Sequence, residues 1–253
     1  MPRFILFLSL MLTPTFGLST SALADTFLSR QTRVPRVSRV HKALYPELKD
    51  RFQKARAAWP IEGLFIRAFK AERVLEVWSK EERGQRRVLV WSWPLCAKSG
   101  VLGPKRREGD AQIPEGIYRI ERFNPRSRFH LSLGLNYPNA RDKARAGDAK
   151  PGSDIFIHGD CVSIGCLAIE DGPIERLYLA SVLARDQGQT EIPVHLFPCR
   201  FADEVCGESL GQHAIDDPES ERLWRELKPI YDRFERSARL PKVGVDSKGY
   251  RLR

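Results

Sequence analysis

Between residues 64 and 93 the chain carries three short runs, Leu64–Lys70, Arg73–Ser79 and Arg87–Trp93, each rich in β-branched or aromatic residues and roughly alternating in polarity. Period-two alternation at this length makes strands, and the turn residues Glu82-Arg83-Gly84 between the last two predict a meander. That start commits the chain to a β core. Gly116–Phe123 and Phe129–Leu135 extend it across the turn Asn124-Pro125-Arg126-Ser127, and the shorter runs Asp154–His158 and Val194–Phe197 follow. Helical spacing occurs elsewhere. Leu44, Leu48, Phe52, Ala55 and Trp59 predict an amphipathic helix over His41–Trp59, stopped by Pro60. Pro173 to Arg185 predicts a second helix, and Asp217-Pro218-Glu219 supplies an N-cap, a proline at N1 and an acid in the first turn of a third, running to Ala238. Residues 25–40, rich in Arg, Ser and Thr, are expected to be a mobile tail. The predicted class is mainly β with flanking helices, α+β, in a β-sandwich-like arrangement.

The N-terminus shows Arg3, an apolar run from Phe4 to Leu18, and Ala22-Leu23-Ala24 before Asp25, the order of a secretory signal peptide cleaved after Ala24. The run is interrupted by Thr13, Pro14 and Thr15 and falls short of the roughly 20 apolar residues of a membrane anchor. No later segment is apolar enough to span a bilayer, so no membrane span is expected once the signal is removed. The expected organisation is a signal peptide over 1–24, a tail and helix over 25–60, a catalytic domain over 61–201 and a helical extension over 202–253. The net charge of +10 points in an exported protein to wall and outer-membrane polymers, and nucleic acid is not an expected partner. The Gly-rich stretch 100–109 lacks the Lys-Ser/Thr ending of a phosphate-binding loop, and no cofactor is expected.

Five cysteines, at 96, 161, 166, 199 and 206, leave at least one thiol outside intramolecular disulfides. Cys199 and Cys206 are close enough in sequence for a local bridge. Cys166 sits where chemistry is expected: Ile155-Phe156-Ile157 delivers His158 at a strand end, the small-residue loop from Gly159 follows, and Gly165-Cys166 opens the next apolar stretch. A nucleophilic thiol needs a base within hydrogen-bond reach and a water-poor setting, and a strand end with a tight return loop supplies both. The Gly165 and Cys166 N–H groups are expected to face a developing oxyanion without an intervening side chain. Three bland readings compete. Cys166 and Cys161 are small hydrophobes, His158 is a structural histidine, or His158, Cys161 and Cys166 are zinc ligands, although no Cys-x-x-Cys pair accompanies them.

The segment His158-Gly159 with Ser163-Ile164-Gly165-Cys166 resembles the active-site signature of the L,D-transpeptidase catalytic (YkuD-type) family. Further blocks extend the resemblance toward its YafK-like murein transpeptidase and hydrolase branch: Trp93-Pro94-Leu95-Cys96-Ala97-Lys98-Ser99-Gly100, Leu102-Gly103-Pro104-Lys105, Glu108-Gly109-Asp110, Pro114-Glu115-Gly116-Ile117-Tyr118, and Leu133-Gly134-Leu135-Asn136-Tyr137-Pro138-Asn139. Coverage runs from about Leu64 to Phe201. The chain departs from the commoner family pattern in a short His-to-Cys spacing, in Ile164 where a His is usual, and in Ala168 where an Arg is usual.

The resemblance implies a cysteine enzyme acting on peptide stems of peptidoglycan in the periplasm of a Gram-negative envelope. Cys166 is then the nucleophile, His158 the general base and acid, Gly165 an oxyanion donor and Ser163 a candidate to orient His158, alongside Asp160 or a backbone carbonyl. Tyr137, Asn139 and Gly159 are expected at the substrate, and Lys98, Lys105, Arg126 and Arg141 are candidates for substrate carboxylates, each also readable as solvated surface charge. The branch is associated with release of a peptidoglycan-linked outer-membrane lipoprotein, which implies hydrolysis through a thioacyl-enzyme. Transpeptidation with an amine acceptor and non-catalytic binding of peptidoglycan are the alternatives. A working nucleophile is expected to titrate below a free thiol's pKa of about 8.5.

Overall fold

The computed structural model describes residues 25–97 and 99–253. The expected signal peptide and the carboxylate candidate Lys98 lie outside the described residues. Helices α1 (Phe27–Thr32) and α2 (Pro35–Lys54) precede β1 (Phe65–Phe69), β2 (Val74–Lys80), β3 (Arg87–Pro94), β4 (Gly116–Asn124) and β5 (Ser132–Leu135). Then come α3 (Ala140–Ala146), β6 (Phe156–His158), β7 (Leu167–Ala168), α4 (Asp171–Asp186) and β8 (Pro193–Phe197). The chain closes with α5 (Glu204–Asp216), α6 (Pro218–Ser237) and the hairpin β9 (Val243–Asp246) and β10 (Gly249–Leu252). Eight strands form one hydrogen-bonded order, β3-β2-β1-β8-β4-β5-β6-β7. The meander β1–β3 is antiparallel as expected, β8 inserts between β1 and β4, and β6 and β7 run parallel. The result is the predicted α+β class built on a β core.

Strand β1 shows why the sheet is covered on both faces. Ile66 and Ala68 join the core under α2 and α4, while Phe65, Arg67 and Phe69 meet Phe234, Glu235 and Tyr231 of α6. Each phenylalanine buried in this way contributes about 1.5–3 kcal/mol of apolar transfer. Arg67 is buried among these rings because Glu76 and Glu235 neutralise it and the faces of Phe69, Trp78 and Phe234 accept its guanidinium.

Residues 25–40 are not a mobile tail. Thr26 caps α1, and Val34, Val37 and Val40, three residues apart, bury one stripe of the second helix in the core beside Leu48 and Phe52. Between these valines Arg39 is exposed and Arg36 donates to the Ser127 and His130 carbonyls, and the two arginines mask the period in composition. α2 also stops at Lys54 and not at Trp59, where Arg56 turns left-handed (φ 56°) and Ala57 N–H reaches back to the Phe52 carbonyl. The stretch 136–153 contains α3, closed by the reciprocal Asn139–Asp142 capping box, and α5 begins inside the Cys199–Cys206 interval on the Asp203 cap. The loop 99–116 forms no regular element. It is held from within by buried Lys70, which donates to the Gly103 and Ile113 carbonyls, and by buried Glu115, which accepts from Gly103 N–H and Trp224 Nε1.

Candidate active site

β6 ends on His158 and β7 begins just after Cys166, with Ile157 opposite Leu167 and His158 opposite Ala168. The sheet therefore holds His158 at the end of β6 and Cys166 just ahead of the parallel strand β7. His158 is buried, and its Nδ1 lies 2.5 Å from the Gly159 carbonyl. A carbonyl only accepts, so Nδ1 carries the proton and Nε2 keeps the lone pair. The group orienting His158 is thus the backbone carbonyl of Gly159, and the Phe129 ring packs on the imidazole at 4.8 Å between centroids. Burial holds the imidazole below its ordinary pKa. Gly159 is required by crowding, since a Cβ there would stand 2.5 Å from Asp171 Oδ1 and 3.0 Å from both His130 Cβ and Ile174 Cγ2.

Among the described residues Cys166 is the cysteine outside a disulfide. Phe156 N–H donates to its sulfur at 3.4 Å, and its thiol points to the Asp154 carbonyl at 3.6 Å. No hydrogen bond joins it to His158 in this resting geometry. Burial pushes the thiol up from its ordinary pKa, with the Phe156 N–H acting the other way. The expectation of a thiol acidified at rest is therefore reversed, because the surroundings are largely apolar and no cation touches the sulfur.

Ser163 also departs from expectation. Its hydroxyl accepts from Gly165 N–H at 3.2 Å and Cys166 N–H at 3.0 Å and donates to the Cys166 carbonyl at 2.7 Å. It ties the turn that carries the thiol and does not orient His158. The same bonds occupy the two N–H groups expected to serve an oxyanion; the N–H at the sulfur is that of Phe156, which no sequence pattern marked. Gly165 adopts φ +126°, and a Cβ there would approach the Gln112 carbonyl to 3.0 Å, so the loop 99–116 buttresses the turn.

His158, Cys166 and Ser163 line one cavity of about 470 Å3 with Phe129, Phe156 and Ile164. Ile164 and Val162 are exposed at its mouth, and Arg128 stands at its rim. Tyr137 and Asn139 do not reach it. Tyr137 donates to the Pro151 carbonyl, and Asn139 caps α3 while donating to the Ile117 carbonyl and Tyr250 hydroxyl, and both line a separate concavity on another part of the fold. Of the carboxylate candidates, Lys105 is buried on Asp110, Arg141 is paired with Glu226, and Arg126 is not in the lining. The rim cation Arg128 was missed because one arginine among forty-two Lys and Arg residues carries no sequence signal.

Cys199–Cys206 forms the bridge expected. Cys161 is not a lone hydrophobe: it is bonded to Cys96 across 65 residues, which pins the His158–Cys166 loop to the end of β3. That bond also withdraws Cys161 from the alternative zinc set with His158 and Cys166.

The His158–Cys166 region lies within a stretch shared with known proteins. The L,D-transpeptidase catalytic domain (YkuD) matches residues 64–186. The Escherichia coli K12 protein named "Putative L,D-transpeptidase YafK" is 35% identical over 184 residues, covering 72% of this chain and 70% of the relative, and its O157:H7 counterpart matches equally. The chain belongs to the L,D-transpeptidase catalytic domain family. The family region runs from β1 through α4 and contains both His158 and Cys166, while β8, in mid-sheet, is supplied from beyond it. Among solved structures, the helical cell shape determining protein Pgp2 of Campylobacter jejuni aligns over 72% of each chain at 19% identity with a TM-score of 0.42. Bd1075 of Bdellovibrio bacteriovorus aligns over 71% of this chain and 66% of its own at 21% identity with a TM-score of 0.39. Within this L,D-transpeptidase domain Ala168, two residues after Cys166, is fully buried in β7.

Proposed function

We propose that the protein is a periplasmic cysteine hydrolase of peptidoglycan peptide amides, exported by the segment 1–24, that releases lipoprotein from diaminopimelate. The observation that carries this reading is the shared cavity: the one unbridged cysteine of the described residues and a buried, carbonyl-oriented histidine open onto the same 470 Å3 space. Cys166 leaves its Phe156 and Asp154 contacts by side-chain rotation when substrate enters, and His158 Nε2 takes the thiol proton as the sulfur attacks the diaminopimelate carbonyl. The Phe156 N–H, freed from the sulfur, donates to the oxyanion. The C–N bond breaks, the amine departs with the proton from His158, and a thioester remains. Water then loses a proton to His158 and attacks the thioester, the C–S bond breaks, and the carboxylate product leaves as the sulfur regains its proton.

Hydrolysis is favoured over amine transfer by what the turn lacks. An acceptor peptide brings a carboxylate that needs a fixed cation, and Ala168 and Ile164 stand where the commoner pattern places Arg and His. Water needs no such anchor. Arg128 at the rim then serves the donor stem.

The test is incubation of the protein and its Cys166→Ala variant with sacculi bearing covalently attached lipoprotein, followed by mass spectrometry of soluble protein and muropeptides. Lipoprotein release by the wild type alone is expected. New cross-links between diaminopimelate residues would make the enzyme a transpeptidase, and unchanged pools with binding retained would make it a docking module.

A further inference from the structure

A second and larger concavity, about 850 Å3, lies elsewhere on the fold and shares no residue with the Cys166 cavity. Its floor is the α6-side face of the sheet at Ile117 of β4 and His195 of β8, and one wall is the segment from Leu240 to Val245 that leads into and forms β9. The volume falls in the range of ligand sites, roughly 300–1,000 Å3.

Two of the polar groups lining it, His195 and Arg87, are incompletely partnered. His195 is 2% exposed and lies edge-on to Phe65, yet its ring nitrogens hydrogen-bond to no described residue. Burial and the nearby Arg67 push its pKa down to about 3, so it stays a neutral donor and acceptor. Arg87 has a buried Nε without a partner and no carboxylate within ion-pair distance among the described residues. Desolvation alone shifts that guanidinium, as expected for a cation lacking its anion. Lys143 and Lys242 are exposed on the walls and unpaired among the described residues. Buried polar atoms are normally satisfied, so the unpartnered Arg87 Nε at this cavity, beside the unbonded His195 ring on its floor, marks where a ligand supplies a missing partner.

The charges around the groove select the ligand. Arg87, Arg119, Lys143 and Lys242 face it together with Glu121 and Glu191, of which Glu191 is already paired with Arg119. A phosphate polymer would meet both carboxylates as repulsion. A peptide carrying carboxylates and an ammonium, with methyl side chains for Pro193, Val243 and Val245, matches both signs and the apolar floor.

We propose that this groove is a second substrate-holding site, which binds a zwitterionic peptide stem of peptidoglycan away from Cys166 and tethers the enzyme to the wall. The inference extends the peptidoglycan reading above and rests on it. Lys143→Glu with Lys242→Glu is the variant to use, since both side chains are exposed and neither supports the core.

Co-sedimentation with purified sacculi and titration with the soluble alanine–glutamate–diaminopimelate tripeptide are compared for wild type and double variant, alongside turnover of a short soluble muropeptide. The double variant is expected to bind sacculi at least tenfold more weakly while turning over the soluble muropeptide within twofold of wild type. Equal binding by the two proteins, or no binding by either, overturns the proposal. Retention on glycan strands stripped of their peptides, or displacement by polyphosphate more readily than by the tripeptide, overturns the peptide assignment. If the wild type shows no turnover but its binding still depends on Lys143 and Lys242, the catalytic reading fails and the groove assignment stands.

Discussion

The Ser163 hydroxyl closes a ring around Cys166, accepting from its N–H at 3.0 Å and donating to its carbonyl at 2.7 Å. One side chain thereby fixes both backbone ends of the residue carrying the thiol. Ser163→Ala removes these bonds and the one from Gly165 N–H, each contributing about 0.5–1.5 kcal/mol. Urea unfolding is expected to show a loss of about 1.5–4.5 kcal/mol. The larger effect is on turnover: kcat falls ten- to a hundredfold with KM nearly unchanged, because the thiol is misplaced while the cavity remains. Threonine, which keeps the hydroxyl, is expected to restore most of the rate.

The pH dependence follows from burial acting in opposite directions on the two groups. Desolvation disfavours charge, so His158 sits below its ordinary pKa and Cys166 above its own. His158 must be neutral to accept the thiol proton, and a lowered pKa keeps it neutral further into acid. The acid limb of kcat/KM is therefore expected to have its midpoint below about 6.5. Iodoacetamide labelling of Cys166 is expected to rise with a midpoint above the about 8.5 of a free thiol. A labelling midpoint near neutrality would instead reveal a preformed thiolate–imidazolium pair and contradict the resting geometry.

The two disulfides are expected to separate stability from activity. Chain-entropy loss grows with loop length, so Cys96–Cys161, closing 65 residues, is worth about 4 kcal/mol, and Cys199–Cys206, closing 7, about 2 kcal/mol. Paired Cys→Ser replacement should reproduce that order in denaturant midpoints. Only loss of the first bridge should also lower turnover, since it alone ties the loop between His158 and Cys166.

The buried pair Lys70–Glu115 should be costly to break from one side. Lys70→Met leaves the Glu115 carboxylate uncompensated beside Trp224, a loss of about 3–5 kcal/mol. Adding Glu115→Gln should recover part of it. Because this pair holds the loop whose Gln112 carbonyl abuts Gly165, the single variant is expected to lose turnover as well.

The elements legible in the chain were those whose signal is local. The alternation over 64–93, the turn residues between the runs, and the Asp217-Pro218 helix start all act within a few residues, and each appears in the fold with boundaries shifted by few positions. The same holds for the candidate pair: only seven residues separate His158 from Cys166, and a strand and a tight turn must return them to nearby positions. The N-terminal helices were hidden because Val34, Val37 and Val40 lie among arginines, so composition obscured a period that burial against the core makes plain.

What remained undecided was set by groups that meet across the sheet. Cys161 had a choice of four thiols, and only the approach of the β3 end to the β6–β7 loop selects Cys96. Sequence left Ser163 to serve either His158 or its own turn, and the three-residue spacing to Cys166 closes the shorter bond. Tyr137 and Asn139 stand in a block resembling the family but point to Pro151, Ile117 and Tyr250. Sequence alone thus determined the β core and the closeness of the candidate pair, because backbone periodicity and short loops are local physics. Tertiary structure decided which thiol stays free, which groups orient the pair and where the second groove opens, because those depend on contacts between residues far apart in the chain.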